Sequence, residues 1–314
     1  MRILLIKTSS LGDVIHNLPV ASDLRRQYPS ATIDWVVEEN FAQIPALHPA
    51  IAEVIPVALR RWRRSLFSAG TRGQAAEFRR RLGARDYDLI IDTQGLLKSA
   101  LIARLARGRR CGYNRVSARE PLAARLYDAR FGVPRKLHAV ERNRLLAAAA
   151  AGYEVATSPD YGIAVPPAPR SGRGHAVLLT ATSRADKLWP EEDWVALGKH
   201  LNEAGLSCRL PGGNDAERER AARIAATIPG ARGLPPMDLR ALAAELAAAR
   251  LVVGVDTGLV HLAAALGRPT LALFRASDPE LTVVMAATPA INLGRRGTAP
   301  SVGEVLAAAR PWMQ

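Results

Sequence analysis

The chain has 314 residues, 48% of them hydrophobic and 23% charged, which excludes a disordered protein and predicts two hydrophobic cores of about 150 residues each. Lysine and arginine outnumber the acids 43 to 29, a net +14 that favours anionic partners: nucleic acid, an anionic membrane surface or phosphorylated small molecules. Cys111 and Cys208 are too few for a disulfide framework or a paired-cysteine metal site, and no run of about 18 apolar residues predicts a membrane span. Two structural thiols in a reducing cytoplasm are expected. An arginine- and alanine-rich composition also follows from genome base bias, so composition alone does not select a partner.

Short β-rich runs alternate with helical patterns, the signature of parallel sheets covered by helices. In chain order the first half predicts strand Ile3–Lys7, a helix from Asp13 to Gln27, strands Thr32–Val37 and Val54–Val57, and a helix near Gln74–Leu82. Strand Leu89–Asp92, helix Leu96–Leu105 and helical stretches around Glu120–Tyr127 and Ala139–Ala151 follow. A proline- and glycine-rich segment, residues 156–174, reads as a linker between a domain at 1–155 and a second at 175–300. The second half predicts strand Ala176–Thr180, helix Glu191–Leu201, strand Ser207–Leu210, helix Ala216–Ala226, helix Leu239–Ala249 and strand Leu251–Val255. After a helix from Gly258 and strand Thr270–Phe274, the last helix, in residues 301–314, is expected to pack back on the first domain. The fold class is therefore α/β, two doubly wound domains of like architecture, with ligands expected at the carboxyl ends of their strands in a cleft between them.

Candidate chemistry gathers after those strands. In Val252-Val-Gly-Val-Asp-Thr-Gly-Leu-Val-His261 an apolar strand ends in an acid and a glycine as a helix begins. The unpaired N–H groups of such a helix start attract phosphate, and Asp256 and His261 can address the same anion. An ordinary turn with a helix cap accounts for the pattern equally. Lys7-Thr-Ser-Ser-Leu-Gly-Asp13 follows the first strand but lacks the glycine signatures of dinucleotide and P-loop sites; Asp13 reads as a functional carboxylate or as a cap. Thr182, Ser183 and Lys187 supply hydroxyls and a cation suited to a diphosphate, or form a solvated loop. Glu217 and Glu219 open a helix after a Gly-Gly turn, as first-turn acids or as acceptors for sugar hydroxyls. The basic run Arg60-Arg61-Trp62-Arg63-Arg64, with Lys98, Arg119, Arg142 and Arg144, is a solvated face or attracts an anionic substrate. A single tryptophan in that run argues against stacking on single-stranded nucleic acid. No zinc-binding spacing, EF-hand loop or DxD pair occurs, so no metal or cofactor is expected.

Taken in order, Lys7-Thr-Ser-Ser-Leu-Gly-Asp-Val-Ile-His, Asp34-Trp-Val-Val-Glu-Glu-Asn-Phe-Ala-Gln-Ile-Pro, Asp92-Thr-Gln-Gly-Leu-Leu-Lys-Ser, Asp186-Lys-Leu-Trp-Pro-Glu-Glu and Asp256-Thr-Gly-Leu-Val-His-Leu closely resemble glycosyltransferase family nine. The resemblance is to its lipopolysaccharide heptosyltransferase I members, over nearly the whole chain. It implies a GT-B fold of two Rossmann-like domains, the first holding a Kdo2-lipid A acceptor and the second ADP-L-glycero-D-manno-heptose. It implies metal-independent, inverting transfer of heptose to Kdo in inner-core biosynthesis, by an enzyme on the cytoplasmic face of the inner membrane. Asp13 matches the family's general base. Thr182, Ser183, Lys187, Glu217, Met237, Asp256, Thr257, Gly258 and His261 match donor positions; Lys7, Arg60, Arg61, Arg63, Lys98, Arg119 and Arg142 resemble acceptor-side positions. Phe274-Arg-Ala-Ser-Asp-Pro279 replaces a tyrosine-glycine-proline turn usual in relatives, and Ser183 stands where a second threonine is common. Competing readings are a heptosyltransferase of the second type, a nucleotide-sugar epimerase of similar fold, or a basic nucleic-acid-binding module.

Overall fold

The computed structural model describes residues 1–65, 68–155, 158–166, 174–182, 184–276, 283–286 and 289–313. The chain divides into two compact units, Met1–Ala164 and Val165–Gln314. The boundary falls inside the expected linker, of which residues 156–157 and 167–173 lie outside the described residues.

The first unit holds a six-stranded sheet: β1 (Arg2–Ile6), β2 (Thr32–Glu38), β3 (Ile51–Val57), β4 (Asp86–Asp92), β5 (Arg107–Tyr113) and β6 (Ala129–Phe131), in the order β3-β2-β1-β4-β5-β6. Every pairing is parallel. A parallel sheet is covered on both faces, so β1 is a continuous apolar run with Ile3 to Ile6 all buried. Its helices are α1 (Leu11–Ile15), α2 (Leu18–Gln27), α3 (Leu59–Trp62), α4 (Ala69–Gly83), α5 (Leu97–Leu105) and α6 (Ala139–Ala151). Alternate residues face opposite sides of a strand. Leu4 and Ile6 join Val36, Ile55, Ile90, Phe78, Leu82 and Ile102 in a core under α4 and α5, while α2 and α6 pack on each other.

The second unit repeats the plan with β7 (His175–Leu179), β8 (Ser207–Leu210), β9 (Arg232–Gly233), β10 (Leu251–Val255), β11 (Thr270–Leu273) and β12 (Ala290–Leu293), ordered β12-β11-β10-β7-β8-β9. Numbered within the unit, this is again 3-2-1-4-5-6, so both units share the Rossmann-like topology with a switch point between their first and fourth strands. Its helices are α7 (Glu191–Glu203), α8 (Asp215–Ala226), α9 (Leu239–Ala248), α10 (Gly258–Ala265) and α11 (Val302–Ala309).

Three differences from the sequence reading have physical causes. The single helix expected over Asp13–Gln27 is two, because Pro19 has no N–H to continue the ladder and Asn17 turns inward to accept from Thr93 Oγ1 at 2.8 Å. The carbonyl of His16, freed at the break, accepts from Asn143 Nδ2. Strands β5, β6, β9 and β12 were not expected. The last helix, α11, expected to pack on the first domain, packs its apolar side within the second unit: Val305 and Ala309 enter that core beside Trp194 and Leu273, and Trp189 Nε1 donates to the Pro300 carbonyl at 2.9 Å.

Candidate functional site

In each unit the loops after the first and fourth strands flank the switch point, where the strand order reverses, a crevice opens and open α/β sheets bind ligands. In the first unit these are Lys7–Ser10 after β1 and Thr93–Leu96 after β4. Gln94 joins them: its side-chain oxygen accepts from the backbone N–H of Thr8 at 3.0 Å and of Ser9 at 3.2 Å. Asp92, fully buried, fixes the second loop by accepting from the N–H of Gln94 at 2.8 Å and from Tyr127 Oη at 2.7 Å. Burial raises the Asp92 carboxyl above the usual range. Tyr127 reaches it because residue 112 is glycine; a Cβ there would stand 2.3 Å from the tyrosine ring.

Asp13 lies in the third position of α1. Its Oδ2 accepts from the Ser10 N–H at 2.9 Å and the Ser10 hydroxyl at 3.2 Å, and pairs with Arg119 at 3.5 Å. The cap reading is thus realised, but on one oxygen only. Among the described residues no hydrogen bond reaches Oδ1, and the side chain is 20% exposed. A carboxylate held through one oxygen with the other open is oriented to accept a proton.

Around it stand most of the predicted basic residues. Lys7, buried, donates to the Thr93 carbonyl at 2.9 Å and to Asn143 Oδ1 at 3.3 Å; burial lowers its pKa to about 8, opposed by the nearby Asp13 charge. Lys98 donates to Ser9 Oγ at 3.3 Å. Arg142 stacks 4.9 Å from the Tyr113 ring centre and donates to the Ser117 carbonyl. Arg60, Arg61 and Arg63 follow β3, two strands from β1 in the sheet. Arg61 forks onto Glu39 at 2.9 and 2.8 Å, Arg60 lies over Phe41, and Arg63 is exposed. The structure therefore gathers Lys7, Lys98, Arg119 and Arg142 near Asp13 and gives Arg60 and Arg61 local partners of their own.

In the second unit the same two loops meet through side chains. Lys187, in the 3-10 turn Ala185–Lys187, places its ammonium 2.5 Å from Asp256 Oδ2, and Thr182 Oγ1 donates to the Asp256 carbonyl at 3.2 Å. Thr257 is the N-cap of α10, directly after Asp256, and makes no side-chain bond to the helix's first turn. His261 is buried one turn further along. Glu217 opens α8: Asn214 accepts from its N–H at 2.9 Å, and its Oε2 accepts from the Gly213 N–H at 2.8 Å. A Cβ at Gly212 would stand 2.6 Å from the Arg218 nitrogen, so glycine is what lets the turn close on the helix. Met237 is half-buried just before α9. Ser183 and the Ser277–Pro279 part of the departing turn lie outside the described residues.

Sequence reading gave no role to Asp92, Gln94, Tyr127 or Asn143. The signal was present for the first two, because Asp92-Thr-Gln-Gly follows a strand at the switch point as Lys7–Asp13 does; Tyr127 and Asn143 act only through the fold. Among the described residues no three His, Cys, Asp or Glu side chains converge as a metal site would require.

The family model for glycosyltransferase family 9 (heptosyltransferase) matches residues 75–308. Lipopolysaccharide heptosyltransferase 1 of Pseudomonas aeruginosa is 50% identical over 291 residues, 90% of this chain and 81% of that protein. The solved E. coli heptosyltransferase WaaC with ADP superposes with a TM-score of 0.90 at 42% identity, covering 99% of this chain and 98% of that one. The same enzyme with ADP-2-deoxy-2-fluoro heptose gives 0.89 at 41% identity, over 100% and 99%. The chain is an enzyme that belongs to glycosyltransferase family 9, the heptosyltransferases.

Proposed function

We propose that this enzyme moves L-glycero-D-manno-heptose from ADP-heptose to a Kdo hydroxyl of Kdo2-lipid A by a single displacement with inversion. What carries the reading is Asp13, with one carboxylate oxygen engaged by Ser10 and Arg119 and the other open at the end of β1. The donor follows from the E. coli relative that holds ADP-2-deoxy-2-fluoro heptose.

Asp13 takes the proton of the attacking Kdo hydroxyl as its oxygen bonds to the anomeric carbon. The bond from that carbon to the diphosphate breaks, and ADP departs with the electron pair. Lys187, the Thr182 hydroxyl, a hydroxyl at Ser183 and the α10 N-terminus at Thr257 and Gly258 stabilise the charge that builds there; Asp256 keeps Lys187 oriented. Glu217 receives the ribose hydroxyls and Met237 the adenine, while His261 backs the donor loop. Lys7, Lys98, Arg119 and Arg142 hold the anionic acceptor, with Arg60, Arg61 and Arg63 as an outer basic field. The partners are the donor, the lipid acceptor and an anionic membrane surface, at the cytoplasmic face of the inner membrane. Among the described residues no helix is long and apolar enough to cross a membrane, so attachment would be peripheral.

Incubation with ADP-heptose and a heptose-free Kdo acceptor should add one heptose mass. An enzyme of the second type would instead leave that acceptor unchanged and extend a monoheptosylated one; the 50% identity to a first-type enzyme favours the former. A changed sugar formed from donor alone would mark an epimerase.

A further inference from the structure

Among the described residues, large apolar side chains left in solvent are few, and most lie in one stretch. Leu97, Leu101 and Leu105 are 38%, 53% and 38% exposed; Val116 and Leu122 are 79% and 56% exposed. Four-residue spacing sets the three leucines on one face of α5, within about 80° of arc and along about 12 Å of axis. The other face explains the helix, because Ser99, Ala100, Ile102 and Ala103 are buried against the sheet and the 3-10 turn Pro121–Leu126. Leu122 sits on that packed turn, whose entry Glu120 accepts from the Leu97 N–H at 2.6 Å. Val116 rides the loop whose Ala118 and Arg119 backbone lies against Gly95, just before α5.

The charge around this apolar stripe is one-signed. Residues 97–125 carry eight lysines and arginines and one acid, Glu120, which is half of the net +14 of the whole chain. Lys98 and Arg104 are interleaved with the leucines on the exposed side of α5, and Arg115, Arg119 and Arg125 flank Val116 and Leu122. The next acid along the sequence, Asp128, is occupied by Arg110 at 2.7 Å, and Asp13 meets the patch only through Arg119 at 3.5 Å. Apolar side chains that enter the headgroup boundary, ringed by cations that meet anionic lipid, make an interfacial membrane surface. The basic run at Arg60–Arg64 lacks this pairing, since its one large apolar residue, Trp62, is buried.

We infer that the exposed face of α5 and the Pro121–Leu126 turn dock this enzyme on the surface of a bilayer containing anionic lipid. The stripe starts beside Lys98, which touches Ser9 of the Asp13 loop, so docking there presents the base to a headgroup rather than to bulk water. The inference deepens the proposed function and rests on its lipid acceptor, but its test reads binding separately from chemistry. Flotation is measured with vesicles of phosphatidylcholine alone and of phosphatidylcholine with phosphatidylglycerol, for the full chain and for Leu101→Gln/Leu122→Gln. The wild-type chain should float with the anionic vesicles, less so at high salt, and the double variant about tenfold or more weakly. Its circular dichroism and its turnover on a soluble, acyl-free Kdo acceptor should match wild type, while its KM for vesicle-borne acceptor rises. Equal flotation of both proteins, or no flotation of wild type, overturns the inference. So does a wild-type dimer that the double variant converts to monomer with flotation unchanged, which would make a second copy the occupant.

Discussion

The ammonium of Lys187 lies 2.5 Å from the carboxylate of Asp256, joining the two loops that flank the switch point of the second unit. The pair is mostly buried, and the ammonium and the carboxylate are each other's charge-assisted hydrogen-bond partner. Lys187→Ala should weaken ADP binding about tenfold to a hundredfold, the worth of one charge-assisted hydrogen bond, with the fold retained. Calorimetric ADP titration of the variant checks this, and an unchanged titration would remove Lys187 from the donor site.

Lys7 predicts an alkaline limit to activity. Burial holds its pKa near 8, below the ordinary 10.5, so the cation next to Asp13 is lost as pH rises through about 8. The kcat/KM profile should fall there, and Lys7→Met, slower throughout, should lack that limb. Stability moves the other way: the unfolded chain binds the extra proton between about 8 and 10.5, so the fold gains stability as pH rises through that window. Urea unfolding across it separates the two effects.

His48 sets an acid limit to stability. Its Nε2 lies 2.9 Å from Ser22 Oγ, its Nδ1 accepts from the Ala50 N–H, and burial lowers its pKa to about 4. Because the folded value lies below the unfolded 6.5, the stability present above 6.5 is lost as pH falls toward 4. The loss is up to about 3 kcal/mol. His48→Asn keeps an acceptor for Ala50 and should flatten that part of the urea-midpoint profile.

Tyr127→Phe should destabilise the first unit by about 1–3 kcal/mol, because buried Asp92 loses its hydroxyl donor. Asp92 holds the turn that carries Gln94, and Gln94 holds Thr8 and Ser9, so turnover should drop while KM for the donor stays near wild type. Thermal unfolding with steady-state kinetics checks both parts; an unchanged kcat would unlink Asp92 from the Asp13 loop.

How far the sequence discloses this molecule varies by element. β1, β7 and β10 are buried on both faces and read directly as apolar runs, as do the loops after them. β5 was missed because Arg107, Gly108, Arg109 and Arg110 break the apolar run and only Cys111 and Tyr113 turn inward. β9 is a two-residue edge with no apolar side chain, and β12 is four half-buried residues behind Pro289. At the site, Asp13 and Lys187 follow strands and were legible. Their partners Arg119 and Asp256 lie 106 and 69 residues away, and only the folded sheet pairs them. The leucine stripe of α5 has ordinary helical spacing; which face the sheet covers is decided by tertiary packing.

The most direct measurement of the central claim is the turnover of Asp13→Ala with ADP-heptose and a Kdo acceptor, beside an ADP titration of the same protein. With Asp13 as the base, turnover should fall by about 10²–10⁴-fold while ADP binds as in wild type. Turnover close to wild type would contradict the account, since no other carboxylate of that loop could then be claimed to take the acceptor proton.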